Sequence, residues 1–232
     1  MAPDTYVIVT AHNEAERIRA TLAALAPAFP GASVFLADDG STDATPEMAL
    51  LAGAGVVRSE HVIGKGAAAT TAARNALHRA RADAGAEQQE PIFILCDADL
   101  GGSAAQLGAL AEPIRRGSAD MTVAAFQSRV GGGFGLALAF ARWAIQRRCG
   151  LRTTAPISGQ RALRESVLED VLPFAQGFGM EVGMTIDAVR AGHRVVEVEL
   201  DLSHRATRRT PAGFAHRARQ LVDSLRAYRV RR

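Results

Sequence analysis

The stretch that most constrains this chain is residues 91–100, PIFILCDADL, where an apolar run of strand length stops at two aspartates separated by one alanine. A run of this kind bounded by a polar turn reads as a strand buried on both faces, as in parallel sheets. Ligands of open parallel sheets bind outside the carboxyl ends of the strands, so Asp97 and Asp99 stand where chemistry is expected. Their i, i+2 spacing lets both side chains leave one side of an extended segment and converge on a hard cation through oxygen. The same pair also fits the simpler task of capping a following helix.

The rest of the chain supplies the sheet that such a strand needs. Residues 5–10, 34–37, 56–57 and 121–125 read as further strands, the first of them central. Between them lie helical patterns: Ile18, Leu22 and Leu25 up to a stop at Pro27 and Pro30, a segment through 48–52, an alanine-rich run from Gly64 to about Arg81, and residues 106–116. Residues 84–90 read as a surface loop. Strands alternating with helices argue for parallel βαβ units, hence an α/β protein with a mostly parallel sheet flanked by helices. After Ser128 the pattern loosens: a helix over 134–149, a strand or site loop over 158–163, a helix over 180–191 and an alternating strand over 194–200. The tail from Ala212 is a basic amphipathic helix with Phe214, Ala218, Leu221, Val222 and Leu225 on one face. That face suits packing on the sheet or lying on an anionic membrane.

At 232 residues and 48% hydrophobic content, one α/β domain with elaborations is expected. No apolar run reaches the roughly 18 residues that span a bilayer, and no leader pattern is present, so a cytoplasmic protein is expected. Cys96 and Cys149 lie far apart and match neither a disulfide framework nor a metal cluster. The net charge of +3 hides an asymmetry: residues 1–128 sum to −6 and residues 129–232 to +9. This divides the chain into an acidic N-terminal half and a basic half suited to an anionic partner. Aromatic content of 5% is poor for base stacking, so nucleic acid is not expected. Arginine outnumbers lysine 26 to 1, which makes Lys65 the one place where a compact ammonium was kept.

Three strand ends coincide with polar clusters: His12-Asn13-Glu14, Asp38-Asp39 and Asp97-Asp99. Carboxylates gathered along one sheet edge repel unless cations or hydrogen-bond donors compensate, which favours a ligand site. Asp39 or Glu14 suits a base or ribose, and Lys65, between Gly64 and Gly66, suits a diphosphate or the base. The GKG segment is not a P-loop, because the spacing GxxxxGK[ST] is absent.

Taken together, VIVTAHNEAERI, FLADDGSTDAT, GKGAA and FILCDADL resemble, in order and spacing, the nucleotide-sugar half of glycosyltransferase family 2 enzymes of the GT-A fold. SGQRALRESVLEDVL and GFGMEVGMTIDAVRAGHRVVEVELDLSHR resemble the acceptor half of dolichyl-phosphate mannosyltransferase-like enzymes, and also the retaining glucosyl-3-phosphoglycerate synthases. The resemblance implies a single Rossmann-like GT-A domain: residues 1–128 bind the nucleotide sugar, and 129–232 form a smaller acceptor-side region. Two departures stand out. Leu100-Gly101-Gly102 replaces the usual polar pair after D-x-D, and Ser158-Gly159-Gln160-Arg161 replaces Ser-Gly-Phe-Arg.

The resemblance further implies that Ala11, Asn13 and Glu14 border the nucleoside, that Asp39 meets the base, and that Lys65 and Gly66 lie beside base or diphosphate. Asp97-Ala98-Asp99 is implied to be the D-x-D that holds a divalent Mg2+ or Mn2+, with His204 completing the metal site and Arg205 sharing the leaving charge. Arg129, Gly159, Gln160 and Arg161 are expected at the acceptor. Glu181 is the candidate base for a hydroxyl acceptor, or alternatively a helix-start carboxylate. The expected reaction moves a hexose from a UDP-sugar, or a GDP-sugar, to an anionic acceptor: a polyprenyl phosphate, or else a small phosphorylated acid. Peripheral contact with the inner face of the membrane and a homodimer are both compatible with this reading. A nucleotidyltransferase or a non-catalytic nucleotide-binding module remains as an alternative of another class.

Overall fold

A computed structural model describes residues 3–84, 90–126 and 136–202, together with positions 225, 228 and 230. Among the described residues, seven strands form one mixed sheet. They are β1 (Thr5–Ala11), β2 (Ser33–Asp38), β3 (Gly55–Arg58), β4 (Ile92–Asp97), β5 (Met121–Phe126), β6 (Arg161–Arg164) and β7 (Val195–Leu200), in the spatial order β3-β2-β1-β4-β6-β5-β7. β1 pairs in parallel with β2 and β4, β2 with β3, and β5 with β7. β6 runs antiparallel to both its neighbours, β4 and β5.

The helices are α1 (Ala15–Ala28), α2 (Thr45–Leu51), α3 (Lys65–Asp83), α4 (Gly108–Arg115), α5 (Leu136–Cys149), α6 (Glu165–Val171) and α7 (Met180–Arg190). They cover both faces of the sheet, so β1 is buried along its whole length. Its side chains alternate as a strand requires. Val7 and Val9 join Ile18, Leu22 and Leu25 of α1 in one core, whereas Tyr6 and Ile8 meet Ala69, Ala72 and Ala76 of α3 in the other. The alanine face of α3 has no bulk to hold it away from the sheet. A third, smaller cluster joins Ala141, Ala144 and Ile145 of α5 to Val182 and Ile186 of α7.

Four local expectations change. α1 runs through Pro27, because a proline in the last turn gives up a single helical hydrogen bond. The helix expected at 106–116 starts at Gly108, after a 3-10 segment, Gly101–Leu107. Residues 158–163 divide into a loop and the strand β6. α6 follows at once, its short buried face of Val167, Leu168 and Val171 too brief to announce a helical period. Of the tail, only positions 225, 228 and 230 are described. Tyr228 packs its ring 5.1 Å from that of Trp143, under the Arg148 guanidinium at 3.7 Å, which favours packing over membrane contact for that turn. Phe214, Ala218, Leu221 and Val222 lie outside the described residues. No helix among the described residues is long and apolar enough to cross a membrane.

The first turn of α3 presses on the loop before α7, and a β-carbon at Gly66 would overlap the Ala175 carbonyl oxygen. Because the obstacle is backbone, Gly66→Ala is expected to destabilise the protein by about 1–3 kcal/mol, as overpacking does. A lowered urea midpoint is the readout. A wild-type midpoint would mean that the loop yields without cost.

Candidate active site

β1, β2 and β4 are parallel and in register, with Thr10 opposite Asp97 and Ala11 opposite Asp38, so their carboxyl ends emerge together. Each carboxylate on this edge has its own compensation. Asp38, fully buried, meets Arg58 Nε at 3.3 Å and accepts the Ser41 N–H. Asp39 Oδ1 accepts the backbone N–H groups of Ile63 at 2.7 Å and Gly64 at 3.0 Å, which fixes the approach to Lys65. Gly40 is required beside it: its φ is +66°, and a β-carbon would lie 2.6 Å from the His61 carbonyl carbon.

Asp97 meets Lys65. The ammonium lies 2.7 Å from Asp97 Oδ1 and 2.9 Å from Glu181 Oε1, bridging β4 to the first turn of α7. Asp97 Oδ1 also accepts the Thr10 hydroxyl at 2.8 Å, and Oδ2 accepts the Gln160 amide at 2.9 Å. Burial raises the cost of ionising Asp97, but Lys65 and these donors outweigh it and hold the carboxyl below its ordinary range. Burial likewise opposes the charge on Lys65, and its two carboxylate partners override that and raise its pKa. Roughly a quarter to a third of the Lys65 and Asp97 side chains stays open to the cleft, whereas Glu181 is 3% exposed.

The D-x-D turn is clamped from behind by α1. Thr21 donates to the Ala98 carbonyl at 2.7 Å and accepts the Gly101 N–H, and Arg17, one helical turn earlier, donates to the Asp99 carbonyl. From the other side, residues 158–161 close over Asp97. A β-carbon at Gly159 would sit 2.8 Å from Lys65 Nζ and 2.9 Å from Asp97 Oδ2, so a side chain there would have to displace the ends of the ion pair.

The structure redistributes the roles read from the sequence. Asp39, Lys65, Asp97, Gly159, Gln160 and Glu181 do converge. Gln160 and Arg161, expected at the acceptor, are buried at 2% and 0% exposure. Arg161 opens β6 rather than lying in a loop, and its guanidinium donates to the Ser158 carbonyl and to Thr185 Oγ1. Burial pushes its pKa down to about 10. Ala98 is buried with its N–H on Thr10 and its carbonyl on Thr21, and Ala11 is buried with its carbonyl on Asp39 N. Gly66 faces Ala175 rather than the cleft. Asn13, in the left-handed region at φ 56°, accepts the Thr42 N–H and orders the loop after Asp39, and the Glu14 N–H donates to Thr45 Oγ1. Arg129, His204 and Arg205 lie outside the described residues. Thr10, Thr21, Arg17 and Arg58 were missed; the i, i+4 spacing of Arg17 and Thr21 was the available signal for two of them.

This arrangement gathers polar and charged side chains of an α/β protein at the carboxyl ends of its parallel strands, where such folds bind ligands. Residues 6–172 match the family model described as Glycosyl transferase family 2, and the chain belongs to that family. It is 28% identical over 225 residues to the undecaprenyl-phosphate mannosyltransferase of Micrococcus luteus, covering 85% of this chain and 83% of that protein. It is also similar to solved structures of the glucosyl-3-phosphoglycerate synthase of Mycobacterium tuberculosis. The complex with phosphoglyceric acid aligns at a TM-score of 0.69 and 25% identity, covering 99% of this chain and 80% of the other. The complex with Mn2+, UDP-glucose and phosphoglyceric acid gives 0.67 and 25% over 97% and 80%, and that with Mg2+ and UDP gives 0.68 and 26% over 97% and 79%. The protein is thus a glycosyltransferase of the GT-A fold.

The ion pair predicts a pH dependence. Asp97 is lowered from 3.8, so its contribution to stability is fully present above that pH and lost as pH falls through the folded value. Lys65 is raised from 10.5, so its contribution is present below that pH and lost only as pH rises past it. Lys65→Met is therefore expected to lower the melting temperature at neutral pH, and the gap from wild type should narrow as pH falls below 3.8. A gap independent of pH would mean that the pair contributes nothing.

Proposed function

We propose that this glycosyltransferase moves a hexosyl group from a nucleoside-diphosphate sugar, a UDP-sugar before a GDP-sugar, to an acceptor that arrives already ionised. The observation that carries this reading is the ion pair of Glu181. The one carboxylate suited to act as a base is 3% exposed and held by Lys65 at 2.9 Å. A hydroxyl acceptor needs a base free to take its proton, whereas a phosphate oxygen is a nucleophile without one. A polyprenyl phosphate is the favoured acceptor, supported by the activity in the name of the Micrococcus luteus relative. A small phosphorylated acid is the second reading, supported by the phosphoglyceric acid in the neighbouring complexes.

On this reading residues 1–128 hold the donor and 129–232 the acceptor. Asp99, partly exposed beside the cleft, and His204 hold a divalent Mg2+ or Mn2+, as the metal in the neighbouring structures suggests. The donor set fits such an ion. Both oxygens of Asp97 carry hydrogen bonds from Lys65, Thr10 and Gln160, which fix its position, and the carboxylates of Asp97 and Asp99 are the hard oxygen donors that such an ion takes. When bound, the ion supplies positive charge for the diphosphate. Lys65 adds a fixed ammonium beside it, where charge develops as the bond from the anomeric carbon to the diphosphate breaks. The backbone N–H clamp on Asp39 holds the 61–64 segment at the nucleoside's edge.

The expected outcome for Asp99→Asn is an unchanged melting temperature with loss of Mn2+-dependent UDP binding in calorimetry. Unchanged affinity would return Asp99 to a capping role. Turnover of UDP- and GDP-sugars with polyprenyl phosphate in vesicles, against 3-phosphoglycerate in solution, separates the two acceptors. Transfer to neutral sugars alone would overturn the proposal.

A further inference from the structure

We propose that Gln160 is a positioning residue of the donor site, fixing the Asp97 carboxylate so that Lys65 is held between Asp97 and Glu181. The inference rests on the donor reading above and extends it to a residue that the sequence had placed at the acceptor. Gln160 is 2% exposed, and both ends of its amide are engaged. Nε2 donates to Asp97 Oδ2 at 2.9 Å, and Oε1 accepts the Ser158 hydroxyl at 3.2 Å. The Asp97 carboxylate, which can only accept, fixes the sense of the amide, since a flipped amide would set its oxygen against it, and the Ser158 hydroxyl then donates to Oε1. The main chain is pinned as well: the Gln160 carbonyl accepts the Ala124 N–H at 2.9 Å, one residue before β6 begins.

The division of donors gives the amide its role. Lys65 and Thr10 both act on Asp97 Oδ1, and Gln160 acts on Oδ2. Donors on Oδ1 already restrain rotation of the carboxylate about its last bond, and a donor on Oδ2 adds a second point of restraint on the opposite side. Gly159 then lets the same segment pass directly over the pair, where a β-carbon would fall 2.8 Å from Lys65 Nζ. A neutral side chain is also required. Lys65 already faces two carboxylates, and a third within hydrogen-bond distance of Asp97 would leave the ammonium outnumbered.

Lys65 is the only lysine in the chain, so lysine labelled with 15N and 13C gives one side-chain signal that reports this cluster without any ligand. Gln160→Met, which keeps length and removes the donor, is expected to shift the Lys65 signal and speed its proton exchange. UDP affinity, measured by calorimetry in EDTA and in Mn2+, is expected to fall about tenfold, as loss of a hydrogen bond to a charged group implies. The donor KM should rise while the acceptor KM stays at its wild-type value. Gln160→Glu, of nearly the same shape, provides a second test, in which the donor becomes a repelling acceptor and the donor KM rises further. A folded variant of either kind with the wild-type Lys65 signal and UDP affinity would overturn the role. The Lys65 signal needs no nucleotide, so its shift stands apart from the donor reading, which fails instead if the wild-type protein binds no nucleoside diphosphate.

Discussion

One ammonium between two carboxylates holds this site together. Lys65 opens α3, where the helix end already carries positive potential, so a cation there is unfavourable unless anions answer it. Asp97 arrives from the end of β4 and Glu181 from the first turn of α7, segments separated by more than eighty residues. The ammonium can serve both because it is a point charge with three donors that need not lie in a plane. A guanidinium would have to place a flat fork in the space that the Gly159 backbone already limits. In a chain whose other Lys/Arg positions are all arginine, the position that kept lysine is the one where a single point charge meets two carboxylates.

Much of this was legible in the sequence, for identifiable reasons. Strand ends could be read because apolar runs stop abruptly at Asp38 and Asp97, and register then follows from parallel pairing. Lys65 stood out by composition alone. The burial of Arg161 could not be read, because the rule that cations belong at the surface fails for a guanidinium buried against Ser158 and Thr185. The strand β6 was ambiguous for a related reason: four residues, two of them arginines, show no clean alternation. Nor did anything local reveal that α1 reaches back to hold the Asp97–Asp99 turn, since Thr21 reads only as one more residue on a helix face.

Hydrogen bonds distinguish the surroundings of the two D-x-D carboxylates in a way that spacing cannot. From spacing, Asp97 and Asp99 are equivalent carboxylates aimed at one ion. In the fold they are not, since Asp97 is enclosed by Thr10, Gln160 and Lys65 and positions everything around it. Neighbouring carboxylates of one motif can differ in this way because burial and nearby donors act on each of them separately.

The position of β6 has a consequence for how the chain is made. β4 and β5 are complete by Phe126, yet they do not pair with each other; each waits for β6, which ends at Arg164. A growing chain on the ribosome therefore exposes the edges of β4 and β5 that β6 later fills, the former the apolar Phe93–Leu95 segment, while the next 38 residues are synthesised. Such edges invite pairing with a neighbouring chain. The strand that closes them follows directly on Gly159 and Gln160, so the step that seals the sheet is also the step that brings these residues over Asp97. Nascent chains that stop short of Arg164 would have neither a closed sheet nor a covered donor site.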